Sequence, residues 1–104
     1  MDYRMEEEKD HAIIYLEGEL DMSVGDKLGE VIRQCGERNQ AITLDFLGVS
    51  FVDSSGIGSL FYTTKDLLAA GKQIEIVNIQ EEILDILRIL GFAEALGVPL
   101  KQAE

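Results

Sequence analysis

The sequence predicts one α/β domain, a mixed and mostly parallel sheet of about five strands with helices packed against it. Two observations carry this. Hydrophobic periodicity switches repeatedly between that of a strand and that of a helix, in the order strand, strand, helix, strand, helix, strand, helix, strand. The chain has 104 residues, 46% of them hydrophobic, which suits one compact domain with a real core. No linker, internal repeat or low-complexity stretch divides it, so residues 1–104 are read as a single unit.

The first elements are strands. "HAIIYLEGEL" opens with β-branched and aromatic residues and is expected to be buried on both faces at Ile13 to Leu16. "DYRMEEE" alternates weakly through Tyr3 and Met5 and suits an edge strand paired to it, with Lys9 and Asp10 making the turn. In "DMSVGDKLGEVIRQCGERNQ" the period changes, and Val24, Leu28, Val31, Ile32 and Cys35 share one helical face. Ser23 is the expected cap, with Asp26 three residues on, and Gly36 or Asn39 the expected end.

"AITLDF" reads as a central strand with Ile42, Leu44 and Phe46 on one face. A second helix follows "FVDSSGIGSL", with Ile57, Leu60, Phe61, Thr64, Leu67 and Leu68 on one face and Gly71 as its stop. "KQIEIVN" is a further strand. "QEEILDILRILGF" is a third helix, with Glu81 and Glu82 at its start and Arg88 near its end, as the helix dipole favours. Ile79 is expected to staple onto Ile83. The tail reads as a brief edge strand from Val98 to Lys101, where Pro99 is tolerated.

Charge narrows the function classes. Nine basic and twenty acidic residues give a net charge of −11. That argues against nucleic acid and against an electrostatic hold on anionic membrane, since both need basic groups. A basic protein surface is the more natural partner, although a charged coat for solubility explains much of the excess. Cys35 is the sole cysteine, so an intrachain disulfide is excluded, and it reads as a buried, inert thiol. The acidic start lacks the apolar core of a signal peptide, and no apolar run reaches membrane-spanning length. A cytoplasmic location without membrane insertion is the expectation.

Autonomous catalysis finds no support. One histidine, His11, and one cysteine fall short of a zinc set, so no metal is expected. A Gly-x-Ser-x-Gly elbow is absent, and His11 heads an early strand, which leaves a serine hydrolase without its base. Gly56-Ile57-Gly58 resembles a dinucleotide turn, but Phe61 stands where the third glycine belongs. No cofactor is implied.

What remains is the start of the second helix, Asp53-Ser54-Ser55-Gly56. Helix-start N–H groups create positive potential, and Asp53 or Ser54 can accept from them as cap. Gly56 and Gly58 clear side chains from the first turn, where another protein can approach the backbone. A phosphate on Ser54 would be favoured by the helix start and opposed by Asp53. On physics alone, a capping serine with packing glycines is the favoured reading, and a modifiable serine is the competitor.

The residues also carry a family resemblance. "GELD" at Gly18 to Asp21, "ITLDFLGVSFVDSSGIGSL" at Ile42 to Leu60 and the closing "ILRILGF" resemble a STAS domain, and more narrowly a bacterial anti-sigma factor antagonist. The resemblance runs over nearly the whole chain, and Asp-Ser-Ser-Gly is its most specific part. It implies a non-enzymatic binding module that sequesters an anti-sigma factor serine kinase. The kinase phosphorylates the serine after the motif aspartate, the complex separates, and a serine phosphatase resets it. Carried over, Ser54 is the phosphoacceptor and Ser55 its competitor. Asp21 lies in the loop beside the acceptor and helps contact the kinase. Asp53, Gly56 and Gly58 shape the acceptor loop. Two alternatives stay open: a partner-switching regulator of a target other than a sigma factor, and a non-phosphorylated STAS subunit of a transport or scaffold assembly.

Overall fold

A computed structural model describes all residues, 1–104. Its elements are β1 (Asp2–Glu8), β2 (His11–Leu20), α1 (Met22–Arg38), β3 (Ala41–Val52), α2 (Ser54–Ala69), β4 (Gln73–Ile79), α3 (Glu81–Ile89), α4 (Phe92–Leu96) and β5 (Leu100–Gln102). The five strands form one sheet in the order β1-β2-β3-β4-β5. β1 is antiparallel to β2, and the remaining pairings are parallel. The α/β class and the mixed, mostly parallel sheet are as the periodicity predicts.

The sheet has two unlike faces. One contributes Ala12, Ile14, Leu16, Ile42, Leu44, Phe46, Ile74 and Ile76 to a single apolar core, completed by the buried sides of the helices. The other is polar. His11 meets the Thr43 hydroxyl at 2.7 Å, Thr43 donates to Glu75 at 3.1 Å, and Lys101 donates to Glu75 at 3.2 Å. This ladder crosses four strands. Ile13 and Tyr15 lie on that face and are half-buried, which corrects the expectation of burial on both faces of β2. With helices packed on one side, β2 alternates as a one-sided strand does.

β3 is longer than "AITLDF" suggested, and two irregularities explain why. Against β2, the register moves from Tyr15↔Asp45 to Glu17↔Gly48, and from Gly18↔Val49 to Glu19↔Phe51. Each step inserts one extra residue on β3, a bulge. The core-facing positions therefore run Ile42, Leu44, Phe46, then Val49, then Val52. At the first bulge the backbones close so tightly that a Cβ on Gly48 would lie 2.8 Å from the Leu16 carbonyl oxygen. Asp45 fixes this bend. Its carboxylate accepts from the Leu47 N–H at 3.0 Å and from the Asn78 amide at 2.8 Å.

Other boundaries shift for local reasons. α1 runs through Gly36 and ends at Asn39, whose N–H donates to the Cys35 carbonyl. α2 closes in a Schellman arrangement, as its Gly71 stop predicts. Lys72 N–H donates to Leu67 O, Gly71 N–H to Leu68 O, and Gly71 takes φ +84°. Gln80 precedes α3, so the fourth helical position is Leu84 rather than Ile83; Ile79, Ile83 and Leu84 are all buried. α4 is an element that the hydrophobic pattern does not announce. It is five residues held between Gly91 and Gly97, both with φ +70°. It displaces the last strand from Val98–Lys101 to Leu100–Gln102, although the Pro99 carbonyl still accepts from Ile76 N–H.

Candidate functional site: two helix starts brought together

In a parallel sheet the helices following the strands all begin at the strands' C-terminal end. Here that end holds the starts of α1 and α2, which are packed unusually close. α1 presents Gly25, Gly29 and Gly36 to α2, where a Cβ would fall 2.8 Å from Ser59, 2.6 Å from the Thr63 hydroxyl and 2.7 Å from Leu67. The missing side chains let the two helix backbones approach. Arg33 and Asp66 then bridge the helices at 2.7 Å on the surface.

The same closeness joins the two loops. Asp53 N–H donates to the Leu20 carbonyl at 3.1 Å. Gly56 is buried against that carbonyl, and a Cβ there would overlap Leu20 O and C. Gly56 thus serves the chain's own packing, and the approach of another protein to its backbone, expected from the sequence, is blocked. Gly58 differs: nothing lies within 4 Å of where its Cβ would stand.

Both helices are capped by aspartate. Asp21, not Ser23, caps α1, and its Oδ1 accepts from the Ser23 N–H at 2.9 Å and the Ser23 hydroxyl at 2.6 Å. The Ser23 hydroxyl bond, chiefly, holds the Asp21 carboxyl below the ordinary aspartate range. Asp53 caps α2, accepting from Gly56 N–H at 2.7 Å. Since Asp53 takes that role, the Ser54 hydroxyl is left free of it. Ser54 and Ser55 are both exposed on the first turn of α2.

Met22, beside Asp21, is 73% exposed, and Phe51, two residues before Asp53, is 47% exposed; Leu47 on β3, Tyr62 on α2 and Ile89 on α3 are exposed as well. Glu19, Asp21, Asp26 and Asp53 neighbour Met22 and Phe51 in the chain. The acidic and small residues of the site stand out in the sequence, whereas Met22 and Phe51 do not. Phe51 was legible as an apolar residue in the quoted stretch; its exposure depends on the second β3 bulge.

The STAS domain family model matches residues 2–104, nearly the full chain. The chain belongs to the STAS domain family. Solved structures share this STAS fold at low identity. The Bacillus cell fate determinant SpoIIAA in its phosphorylated form is 21% identical, with TM-score 0.74 over 99% of this chain and 92% of its own. An anti-sigma factor antagonist from Mycobacterium paratuberculosis is 20% identical, with TM-score 0.81 over 96% and 84%. The murine Solute Carrier 26 family member A9 anion transporter is 24% identical, with TM-score 0.79 over 95% of this chain and 17% of its own. The likeness to all three is one of fold. No helix of this STAS domain is long and apolar enough to cross a membrane.

Proposed function

We propose that this STAS domain is an anti-sigma factor antagonist switched by phosphorylation of Ser54. In its unmodified form it sequesters an anti-sigma serine kinase. The kinase joins the Ser54 oxygen to the γ-phosphorus of ATP, releases ADP, and takes the hydroxyl proton on its own base. A serine phosphatase returns the hydroxyl by hydrolysis to inorganic phosphate. The observation that carries this reading is the exposed Ser54 hydroxyl beside an aspartate that already caps the helix.

Physical chemistry makes the modification an effective switch. Phosphorylation adds a charge of roughly −2 to a surface that already carries Asp21 and Asp53. The helix start accommodates an anion locally, so the domain stays folded. A partner that buries Ser54 faces an uncompensated charge, and binding weakens. Met22 and Phe51, which adjoin Asp21 and Asp53 in the chain, are the apolar contacts such a partner would cover. Asp21 and Ser55 flank the acceptor within the same contact, with Gly58 open beside them.

The fold is also found within an anion transporter, so a transport or scaffold subunit is the second reading. One experiment separates the two. Candidate anti-sigma serine kinases are titrated with wild type, Ser54→Ala and Ser54→Asp by calorimetry, with and without ATP. The proposal expects binding by wild type and Ser54→Ala, and at least about tenfold weaker binding by Ser54→Asp, a change of about 1.4 kcal/mol. Equal affinity for all three proteins, unmoved by ATP, contradicts it.

A further inference from the structure

The edge strand β1 leaves one side of its backbone unpaired. β1 is the first strand in the sheet order, so its outer backbone edge faces no neighbour within the chain. Its residues alternate. Met5 turns toward α1, where the Cys35 thiol points at its thioether. Glu7 does the same, bonding Arg38 and Asn39. Met1 and Tyr3 continue this row, and with Val24, Leu28 and Val31 of α1 they form the apolar part of a groove of about 490 Å³ whose polar lining is Asp2, Ser23 and Lys27. The groove opens beside the first residues of the sheet edge, Met1 to Tyr3. The opposite row of β1 holds Asp2, Arg4, Glu6 and Glu8, all exposed.

We propose that β1 takes up an extended, basic segment of a partner protein as a sixth strand. Main-chain hydrogen bonds to the free edge supply affinity, and alternate apolar side chains fill the slot between β1 and α1. The intervening lysine or arginine side chains face Glu8, and Glu6 where they displace its exposed 3.4 Å ion pair with Arg4. Charge selects this occupant over a second copy of the chain. Antiparallel self-pairing centred on Met5 would set Asp2 against Glu8 twice and Arg4 against Glu6 twice, so the strand charges nearly offset and what opposes a second copy is the net charge of −11 on each molecule. Glutamates on an edge strand defend it against self-association. The same carboxylates attract a basic strand.

The test uses nuclear magnetic resonance titration of the full chain with three synthetic peptides of about ten residues, a long strand's length. One alternates lysine with valine, one glutamate with valine, and one lysine with glycine. The lysine–valine peptide should shift and protect the amides of Asp2–Glu8 and move the methyl signals of Val24, Leu28 and Val31. The other two should bind at least about tenfold more weakly. Reversing the exposed pair, Glu6→Lys with Glu8→Lys, should transfer the preference to the glutamate–valine peptide. Val31→Lys, half-exposed in the slot, should remove lysine–valine binding while leaving the amide spectrum otherwise native. The proposal is overturned if the lysine–valine peptide leaves β1 unperturbed. It is equally overturned if its binding survives the Glu6/Glu8 reversal, or if sedimentation shows a dimer that already protects β1.

Discussion

The two helix starts of this domain use the same chemistry to different ends. In α1, Asp21 caps the helix and also grips the hydroxyl of Ser23, two residues on. In α2, Asp53 caps the helix through the Gly56 N–H and leaves Ser54 and Ser55 exposed. Asp-Met-Ser and Asp-Ser-Ser look alike as capping sequences. What separates them is which group takes the carboxylate: a serine in one, a glycine backbone in the other. A serine held by its cap is a structural part, whereas a serine beside a filled cap is available to another enzyme.

The strongest way to break the comparison is to disturb the glycine that allows it. Gly56→Val should cost about 3 kcal/mol, because its side chain meets the Leu20 backbone, which cannot rotate away. Urea unfolding measures this, and Gly58→Ala is the control. Gly58 faces open space in a helix, so alanine there should stabilise by about 0.5–1 kcal/mol. A harmless Gly56→Val would mean that the two helix starts are not locked together. Removing the caps comes next. Asp53→Ala should lower stability by about 1 kcal/mol, and Asp21→Ala should lower it as well.

Acid sharpens the distinction further. Bonding to Ser23 depresses the Asp21 carboxyl in the folded state. Its contribution is therefore complete above the ordinary aspartate range, and it is lost as pH falls through the depressed folded value. The unfolding midpoints of wild type and Asp21→Asn should differ at neutral pH and converge below about pH 4. Convergence at higher pH, or none, would show that Ser23 does not hold the carboxylate. The two serines should differ, and Ser54 should show the smallest effect of all. Ser23→Ala should destabilise by about 1 kcal/mol, the worth of a hydrogen bond to a charged group in part-exposed surroundings. Ser54→Ala should stay within about 0.5 kcal/mol of wild type.

Much of this architecture is legible in the sequence. α1, α2, β4 and α3 declare themselves through hydrophobic period, Gly71 stops α2 as glycine should, and β2 shows as an apolar run that hides its one-sided burial. The second half of β3 is not legible, because its bulges turn a spacing of two into three at Val49 and Val52. α4 is too short to show a helical period. The cap of α1 was misplaced because Asp21 and Ser23 are both good caps, and their mutual hydrogen bond is decided only by geometry. The candidate site is half legible. Asp53 to Gly58 stand out as an interruption of an apolar run. The placement of Asp21 beside them depends on Gly56 meeting Leu20 across more than thirty residues of chain, which no local pattern reveals.

The most direct test of the central claim is phosphosite mapping. The full chain is incubated with an anti-sigma serine kinase that binds it and with ATP, then digested and sequenced by mass spectrometry, alongside Ser54→Ala, Ser55→Ala and Ser23→Ala. The account predicts one phosphate on Ser54, complete loss of labelling in Ser54→Ala, and retained labelling in Ser55→Ala and Ser23→Ala. Stoichiometric phosphate at Ser23 or Ser55, or undiminished labelling of Ser54→Ala, would contradict it.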